Sequence, residues 1–292
     1  MDKLTPNIQA IFFDIDGTLV SFSSHSISPV TKAAIRRLKD DGIKVIIATG
    51  RSMSDIINLE DLEFDGFITA NGAYCVDSKG RVLAQQPISR ESLDRLALYL
   101  EEKPFSCSFM TDQGNYINCV DDLLLSLSQL VEIPLPPIKP VSEIFTHTIY
   151  QLDAFIKADR EAEILQHVLT DCTGCRWHPI FVDFNDQHCS KASGMDHLLA
   201  YFGISIEHTM AFGDGGNDIS MLRHAAIGIA MGNAKDHVKA AADYVTDSVD
   251  EDGVVKALQY FQVIPVQLDL RSNITPATGL SPPVFRIRRY GG

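Results

Sequence analysis

Two carboxylates near the start of the chain have a spacing that suits chemistry. Asp14 and Asp16 follow the apolar residues 11–13 and precede Gly17 and Thr18. Alternate residues of a strand face the same side, so both carboxylates share an orientation while the strand lasts, and the glycine lets the chain turn just beyond them. A cation offsets the repulsion of such a pair, and oxygen ligands suit Mg²⁺ with positions left for a phosphate oxygen. A strand end with solvated aspartates in a turn is the alternative.

A second group of polar residues follows a short apolar run. Residues 44–48 are rich in β-branched side chains and indicate a buried parallel strand, which Thr49, Gly50 and Arg51 follow. Ligands bind beyond the carboxyl ends of such strands, so the Thr49 hydroxyl and the Gly50 amide are expected to hold a phosphoryl oxygen. A plain exit from strand to loop would look the same, and whether Arg51 meets a ligand or a carboxylate stays open.

A lysine begins the third segment. Lys191 opens a stretch whose apolar residues recur at helical spacing and which Gly203 ends. A lysine in the first turn lies at the positive end of the helix dipole, so a phosphate or a carboxylate must compensate its charge if the site is dry. A solvated surface lysine is the alternative.

The fourth segment repeats the logic of the first. Asp214 ends an apolar strand, two glycines follow, and Asn217 and Asp218 lie where the next helix begins. An ordinary turn with a helix N-cap is the alternative reading of this segment alone. Four such segments at strand and helix ends together predict one site.

These four motifs, D-x-D-G-T, T-G-R, a lone lysine and G-D-x-x-N-D, resemble in order and spacing the haloacid dehalogenase (HAD) superfamily of phosphatases. The long insertion between the second and third motifs, with segments 68–73, 231–234 and 251–254, resembles the Cof-type, class IIB branch, which acts mostly on sugar phosphates and related small molecules. The similarity covers about residues 7–261. It implies an α/β fold: a Rossmann-like parallel-sheet core with an inserted α+β cap domain.

The resemblance also implies roles for individual residues. Asp14 would be the nucleophile that forms an aspartyl-phosphate, and Asp16 the acid and base that protonates the leaving oxygen and then activates water. Mg²⁺ would be held by Asp14, Asp214 and the main-chain carbonyl of Asp16. Asp218 would orient the lysine or the metal shell, with Arg51 as a further supporting residue. The groups expected to donate to the phosphoryl oxygens are Thr49, Gly50, Lys191 and Asn217.

Two rival functions use similar residues. A phosphomutase or phosphotransferase of the same superfamily would exclude water and pass the phosphoryl group to a second sugar. A non-hydrolytic, phospho-accepting regulatory protein also places an aspartate, a metal and a lysine at strand ends, but it has no paired acid two residues on and needs no cap. A catalytically inert binding protein is disfavoured because every motif residue is present.

Length and charge limit the organisation and the partners. A chain of 292 residues allows one or two domains, and the motifs favour two. Twenty-five basic and 38 acidic residues leave a net charge of −13, which argues against nucleic acid as a partner. We expect a small phosphate ester as substrate, no membrane partner, a cytoplasmic location, and a monomer with a dimer as the alternative.

The six cysteines show no disulfide pattern. Cys172 and Cys175 have C-x-x-C spacing, but a structural zinc needs two further ligands and no second such pair exists. We therefore expect reduced thiols.

Hydrophobic periodicity divides the chain further. We predict a first part of the core over residues 1–85, the cap over 86–185, a second part of the core over 186–261, and a weakly ordered tail over 262–292. The predicted core elements are a helix capped by Ser28, strands 44–48 and 66–70, and a hairpin turning at 77–80. The predicted cap elements are a helix at Leu93–Leu100, strands 105–110 and 115–120, a helix 122–131, a strand 146–156, a helix 160–169 and two short strands ending near Phe184.

Overall fold

Two β-sheets organise the chain. The structure, a computed structural model, describes residues 7–56, 59, 61–131 and 135–266. The strands are β1 (Ala10–Phe13), β2 (Lys44–Ala48), β3 (Gly66–Thr69), β4 (Tyr74–Asp77), β5 (Val82–Gln85), β6 (Cys107–Thr111), β7 (Gly114–Ile117), β8 (Gln151–Ala154), β9 (Cys172–His178), β10 (Phe181–Asp186), β11 (Thr209–Gly213), β12 (Ile227–Ala230) and β13 (Tyr244–Val245).

Eight α-helices accompany these strands within the described residues. They are α1 (Pro29–Asp40), α2 (Arg90–Glu102), α3 (Asp122–Val131), α4 (Ala158–His167), α5 (Lys191–Phe202), α6 (Ile219–His224), α7 (Asp236–Lys239) and α8 (Gly253–Tyr260). Local chemistry explains their ends. The Ser28 hydroxyl accepts from the Thr31 amide to cap α1, and Ser190 with Ser193 forms a capping box at α5, which Gly203 ends in a left-handed conformation.

The larger sheet has the strand order β13-β12-β11-β1-β2-β3-β4-β5. Its strands are parallel from β13 to β3, and β4 and β5 continue it as antiparallel strands. The central strand β1 is buried throughout and pairs with β2 on one side and β11 on the other. The chain order reverses at this point, and such a switch is where an open α/β sheet opens a crevice for ligands at the carboxyl ends of its strands.

The smaller sheet is inserted between β5 and α5 and has the order β7-β6-β8-β10-β9, antiparallel throughout. One of its faces is apolar and packs with residues of α2 and α4, as Leu152 of β8 and Phe184 of β10 illustrate. The alternate residues of β8 and β10 are polar and lie on the opposite face; they are Gln151, Asp153, Asp183 and Asn185. We call these four residues the roof cluster.

This architecture confirms the predicted fold class, a parallel-sheet core with an inserted α+β cap. The predicted strand 146–156 is too long, because β8 spans only Gln151–Ala154. The amide and hydroxyl of Thr146 both donate to the Glu143 carbonyl, and these local bonds compete with sheet pairing.

The predicted domain boundaries stay a prediction. Of the predicted tail, residues 262–266 are described, and Ile264 is buried against the core. Residues 267–292 lie outside the described part of the chain. Across the described residues, no helix combines the length and the apolar composition that a membrane crossing requires.

Candidate active site

A buried lysine lies at the centre of the site. Lys191 has no exposed surface, and its Nζ donates to Asp14 Oδ1 at 2.7 Å and to Asp218 Oδ1 at 2.6 Å. Burial alone would lower the pKa of Lys191, but the two carboxylates raise it above its ordinary value. The ammonium is therefore held in its charged form, and the anions that the position of this lysine in the first turn requires are these two carboxylates.

Asp218 is held from both sides. Its Oδ1 accepts from Lys191, and its Oδ2 accepts from the backbone amides of Asp214 at 2.9 Å and Gly215 at 2.7 Å. The approach to the strand end is so close that a methyl group at Gly213 would lie 2.4 Å from the Asp218 Cβ. Of the two roles expected for Asp218, the structure supports orientation of Lys191.

Asp14 and Asp214 end the neighbouring strands β1 and β11 and offer carboxylates to one place. Burial, with Asp218 nearby, raises the pKa of Asp14 well above its usual range against the opposing effect of Lys191. Burial and the same neighbour raise the pKa of Asp214 to about 7, although a hydrogen bond from Thr18 opposes this. A bound cation would stabilise the ionised forms of these two carboxyl groups and so oppose the rise in their pKa values.

The donor set fits a hard cation. Asp14, Asp214 and Asp218 each place one carboxylate oxygen within 4.8 Å of the others, and they form the one cluster of three or more candidate ligands found among the described residues. Both oxygens of Asp218 are already used by Lys191 and the two amides, which leaves Asp14 and Asp214 for a metal ion. All candidate ligands are oxygens, as Mg²⁺ prefers.

The loop after Asp16 is packed against Asp214. Gly17 has a φ of +80°, and a methyl group there would lie 2.3 Å from Asp214 Oδ2. Asn233 Nδ2 donates to the Gly17 carbonyl at 2.9 Å and to Asp214 Oδ2 at 3.1 Å. Asn233 therefore joins the first and fourth motifs. Sequence reasoning noted its segment, 231–234, but assigned it no role.

Arg51 pairs with the acid expected to protonate the leaving group. Its Nε donates to Asp16 Oδ2 at 2.8 Å and its Nη2 to Asp16 Oδ1 at 2.5 Å, while Nη1 donates to the Asp55 carbonyl at 3.0 Å. The sequence left open whether Arg51 meets a ligand or a carboxylate. In the structure its guanidinium forms a bidentate pair with the Asp16 carboxylate. The proton-transfer role expected for Asp16 would require it to exchange one of these bonds.

The second motif lies next to the fourth. Thr49 is buried, and its Oγ1 accepts from the Arg51 amide at 3.1 Å. A methyl group at Gly50 would lie 3.2 Å from Asn71 Oδ1 and 3.6 Å from Asn217 Nδ2. The structure thus gathers all nine residues predicted for the site, and it adds Asn71, which sequence reasoning left without a role.

The roof cluster closes over this end of the core. Gln151 Nε2 donates to the Gly50 carbonyl at 3.2 Å and to Asp153 Oδ1 at 2.7 Å. Asn185 Nδ2 donates to the Ala70 carbonyl at 3.0 Å. Burial raises the pKa of Asp153 to about 7 and that of Asp183 well above its usual range. The period-two alternation of polar and apolar residues in β8 and β10 could have revealed this face.

A cavity of about 400 Å³ lies between the smaller sheet and the core. Its core side includes Lys191, Asn217 and Ser220, and its other side includes Cys175 and Asn185. This size is within the range of small-molecule sites, about 300–1,000 Å³. Burial raises the pKa of Cys175 to about 11, so that thiol is protonated at neutral pH.

Comparisons with known proteins agree on one family. Residues 11–258 match the model of the haloacid dehalogenase-like hydrolases. A Bacillus subtilis protein, 5-amino-6-(5-phospho-D-ribitylamino)uracil phosphatase YcsE, is 30% identical over 264 residues, which cover 87% of this chain and 96% of that protein.

Two solved structures resemble the whole arrangement. The HAD subclass IIB sugar phosphatase BT4131 is 41% identical with a TM-score of 0.81, and the match covers 88% of this chain and all of that one. The HAD-superfamily phosphatase BT1666 from Bacteroides thetaiotaomicron is 35% identical with a TM-score of 0.84, over 90% of this chain and 98% of that one.

Proposed function

The chain belongs to the haloacid dehalogenase-like hydrolases and is a phosphatase, and from this premise we propose that it is a Mg²⁺-dependent hydrolase of small phosphorylated metabolites, sugar phosphates above all, acting through an aspartyl-phosphate on Asp14. The observation that carries the proposal is Lys191, buried between Asp14 and Asp218 beneath a polar roof. A charge pair so fully removed from water is costly to build, and it supplies a fixed, oriented carboxylate.

Asp14 performs the first half of the reaction. Lys191 holds its Oδ1, which leaves Oδ2 to attack phosphorus in line. The new Oδ2–P bond forms as the bond from phosphorus to the leaving oxygen breaks, and Asp16 gives its proton to that oxygen. In the second half Asp16 takes a proton from water, which attacks phosphorus, releases inorganic phosphate and restores the Asp14 carboxylate.

Asp14, Asp214 and the main-chain carbonyl of Asp16 would hold the Mg²⁺. When bound, the ion offsets the repulsion between the nucleophilic carboxylate and the phosphate. Thr18 and Asn233 hold the Asp214 carboxylate in place for this task, at 3.2 Å and 3.1 Å.

Four groups supply donors to the transferring oxygens in this proposal. The ammonium of Lys191 brings a full charge, and its burial strengthens the interaction because little water screens it. The remaining donors are the Thr49 hydroxyl, the Gly50 amide and the Asn217 side-chain amide.

Three observations support a small, polyhydroxylated substrate. The cavity of about 400 Å³ next to Lys191 suits a small molecule, the roof cluster offers hydrogen-bonding groups, and the net charge of −13 disfavours polyanions. BT4131 is a sugar phosphatase, and YcsE is named for a ribityl phosphate. We propose no nucleic-acid or membrane partner. The cytoplasmic location and the monomeric state remain predictions.

The test is phosphate release from a panel of sugar phosphates, with Mg²⁺ and with excess chelator. We expect release only with Mg²⁺, and kcat/KM values within a few tens-fold across the sugars, because one lost hydroxyl contact costs about tenfold. Preference for a phosphopeptide or a DNA 3′-phosphate over every sugar phosphate would overturn the substrate class. Transfer to a second sugar in place of phosphate release would identify the phosphotransferase alternative.

A further inference from the structure

Asn71 lies where the core meets the smaller sheet, and both ends of its side-chain amide are used. Its Oδ1 accepts from Asn217 Nδ2 at 2.9 Å. Its Nδ2 faces three acceptors of the roof cluster: Gln151 Oε1 at 3.0 Å, Asp183 Oδ2 at 3.3 Å and Asn185 Oδ1 at 3.3 Å. One buried side chain therefore touches a proposed phosphoryl donor and the roof.

The chemistry of the acceptors sets the direction of this amide. Asn185 Nδ2 donates to the backbone carbonyls of Ala70 and Tyr150, which leaves Asn185 Oδ1 facing Asn71. An amide oxygen only accepts hydrogen bonds, so the Asn71 atom that faces Asn185 must be the nitrogen. The oxygen must then face Asn217. The Nδ2 of Asn217 carries two hydrogens, and since Asn71 takes one of them, the direction of the other is set as well.

The backbone around Asn71 is held in an uncommon conformation. Ala70, Asn71 and Gly72 have successive positive φ values of 48°, 55° and 108°. Such residues persist only where the surroundings enforce them, and asparagine tolerates the left-handed region better than most residues. A methyl group at Gly72 would lie 2.1 Å from the Ser190 carbonyl, directly before Lys191. The loop is thus packed tightly against the start of α5, which leaves the backbone of Asn71 little freedom to move.

We propose that Asn71 is a positioning residue that couples docking of the roof cluster to the orientation of Asn217. This inference rests on the proposed function, in which Asn217 donates to the transferring phosphoryl group. With the roof docked, its acceptors hold the nitrogen of Asn71, and the oxygen of Asn71 aims Asn217 at the phosphate. With the roof withdrawn, the Asn71 amide is free to turn and Asn217 loses its orientation. The phosphate site is then complete only beneath a docked roof.

An exchange of side chains tests this coupling. Asn71→Asp keeps the backbone tolerance and an acceptor for Asn217, but it loses the donor to the roof and faces Asp183 with a second carboxylate. We expect affinity for inorganic phosphate in the presence of Mg²⁺, measured by calorimetry, and kcat on p-nitrophenyl phosphate each to fall about ten- to a hundredfold. Adding Asp183→Asn restores a donor and an acceptor in reversed order. If Asn71→Asp lowers either quantity a hundredfold, the double variant should regain at least a factor of ten. If the loss is smaller, the expected gain is proportionally smaller.

A matched control separates coupling through Asn71 from a general weakening of the contact between the smaller sheet and the core. Asn115 Nδ2 donates to Asp55 Oδ2 at 2.6 Å, also between the smaller sheet and the core, without touching Asn217. Asn115→Asp makes the same chemical change beside a carboxylate, and we expect phosphate affinity within about twofold of the wild type. An equal loss in Asn115→Asp and Asn71→Asp would overturn the proposal, as would a folded Asn71→Asp protein that matches the wild type or is not rescued by Asp183→Asn.

The two readouts keep this inference distinct from the proposed function. A wild type that binds phosphate but hydrolyses no ester would contradict the proposed function, and the affinities would still decide the role of Asn71. A wild type with full turnover and unaffected variants would overturn the inference alone. Thermal unfolding of each variant confirms that it is folded. If Asn71→Asp does not fold, Asp183→Ala takes its place, with the same loss expected in both readouts and retention of both overturning the coupling.

Discussion

The end of the core sheet and the roof above it both bury carboxyl groups, but they stabilise them differently. In the core, Asp14 and Asp218 share the buried ammonium of Lys191. In the roof, Asp153 and Asp183 lie opposite each other on antiparallel strands and take hydrogen bonds from the amides of Gln151 and Asn71. The core thus brings a full charge to its acids, whereas the roof brings dipoles.

This difference matches two kinds of work. A nucleophile or a metal ligand must be ionised, and a nearby cation favours that form. A carboxyl that binds a neutral hydroxyl works in either form, and when protonated it can donate as well as accept. The pKa of about 7 for Asp153 means that this roof acid changes form near neutral pH. Under the proposed function, the core acids take part in the reaction and the roof acids contact the substrate.

Asp14→Asn tests the reacting side most severely. The substitution keeps the shape but removes the nucleophile, so we expect kcat to fall by about four powers of ten or more while the protein stays folded. Asp183→Asn on the selecting side should cost less than about tenfold. Phosphate release by both purified variants checks the contrast, and a tenth of the wild-type rate in Asp14→Asn would refute the assignment.

The affinity for Mg²⁺ is expected to depend on pH, because Asp214 must lose its proton to bind the cation. With the pKa of Asp214 at about 7, Mg²⁺ affinity should rise about tenfold per pH unit below pH 7 and level off above it. Calorimetric titration at several pH values measures this slope. An affinity independent of pH would argue against Asp214 as a ligand.

Ca²⁺ should inhibit turnover, because its longer bonds and larger ligand number misplace the phosphoryl group.

Asp16→Asn should distinguish proton transfer from attack. Loss of the acid matters most when the leaving oxygen is basic, so the defect should be about tenfold or more larger on hexose phosphates than on p-nitrophenyl phosphate. The ratio of kcat/KM for the two ester classes gives the answer. Equal losses on both would remove Asp16 from the acid role and leave its pairing with Arg51 as its main contribution.

The last expected effect concerns the stability of the roof and not catalysis. The pKa of Asp153 is about 7 in the folded protein and near its ordinary value of 3.8 when unfolded. Because the folded state holds the proton more tightly, its contribution to stability is fully present below about pH 4 and is lost as pH rises to about 7. Asp153→Asn keeps the acceptor for Gln151, so denaturant unfolding should show that variant gaining on the wild type between pH 4 and 8. A constant difference would contradict the raised pKa.

The sequence alone determined which local segments carry the carboxylates and the lysine of the candidate site. Each motif is a strand end or a helix start followed at once by its polar residues, and such signals are local because neighbouring backbone sets them. Asp14, Asp214 and Lys191 therefore converge as soon as β1 and β11 pair in the parallel sheet and α5 packs against that sheet. The inserted α+β segment was also predictable from its change of pattern, though β8 proved shorter than the expected strand.

Only the tertiary structure decided which distant groups meet. Arg51 pairs with Asp16 across 35 positions of the chain, and Asn71 reaches Asn185 across 114. These contacts depend on how one sheet docks on another, and a shift of about an ångström would exchange one hydrogen-bond partner for another. Local sequence specifies the conformation of each segment. The choice among several possible polar partners is made by the packing of the remaining chain.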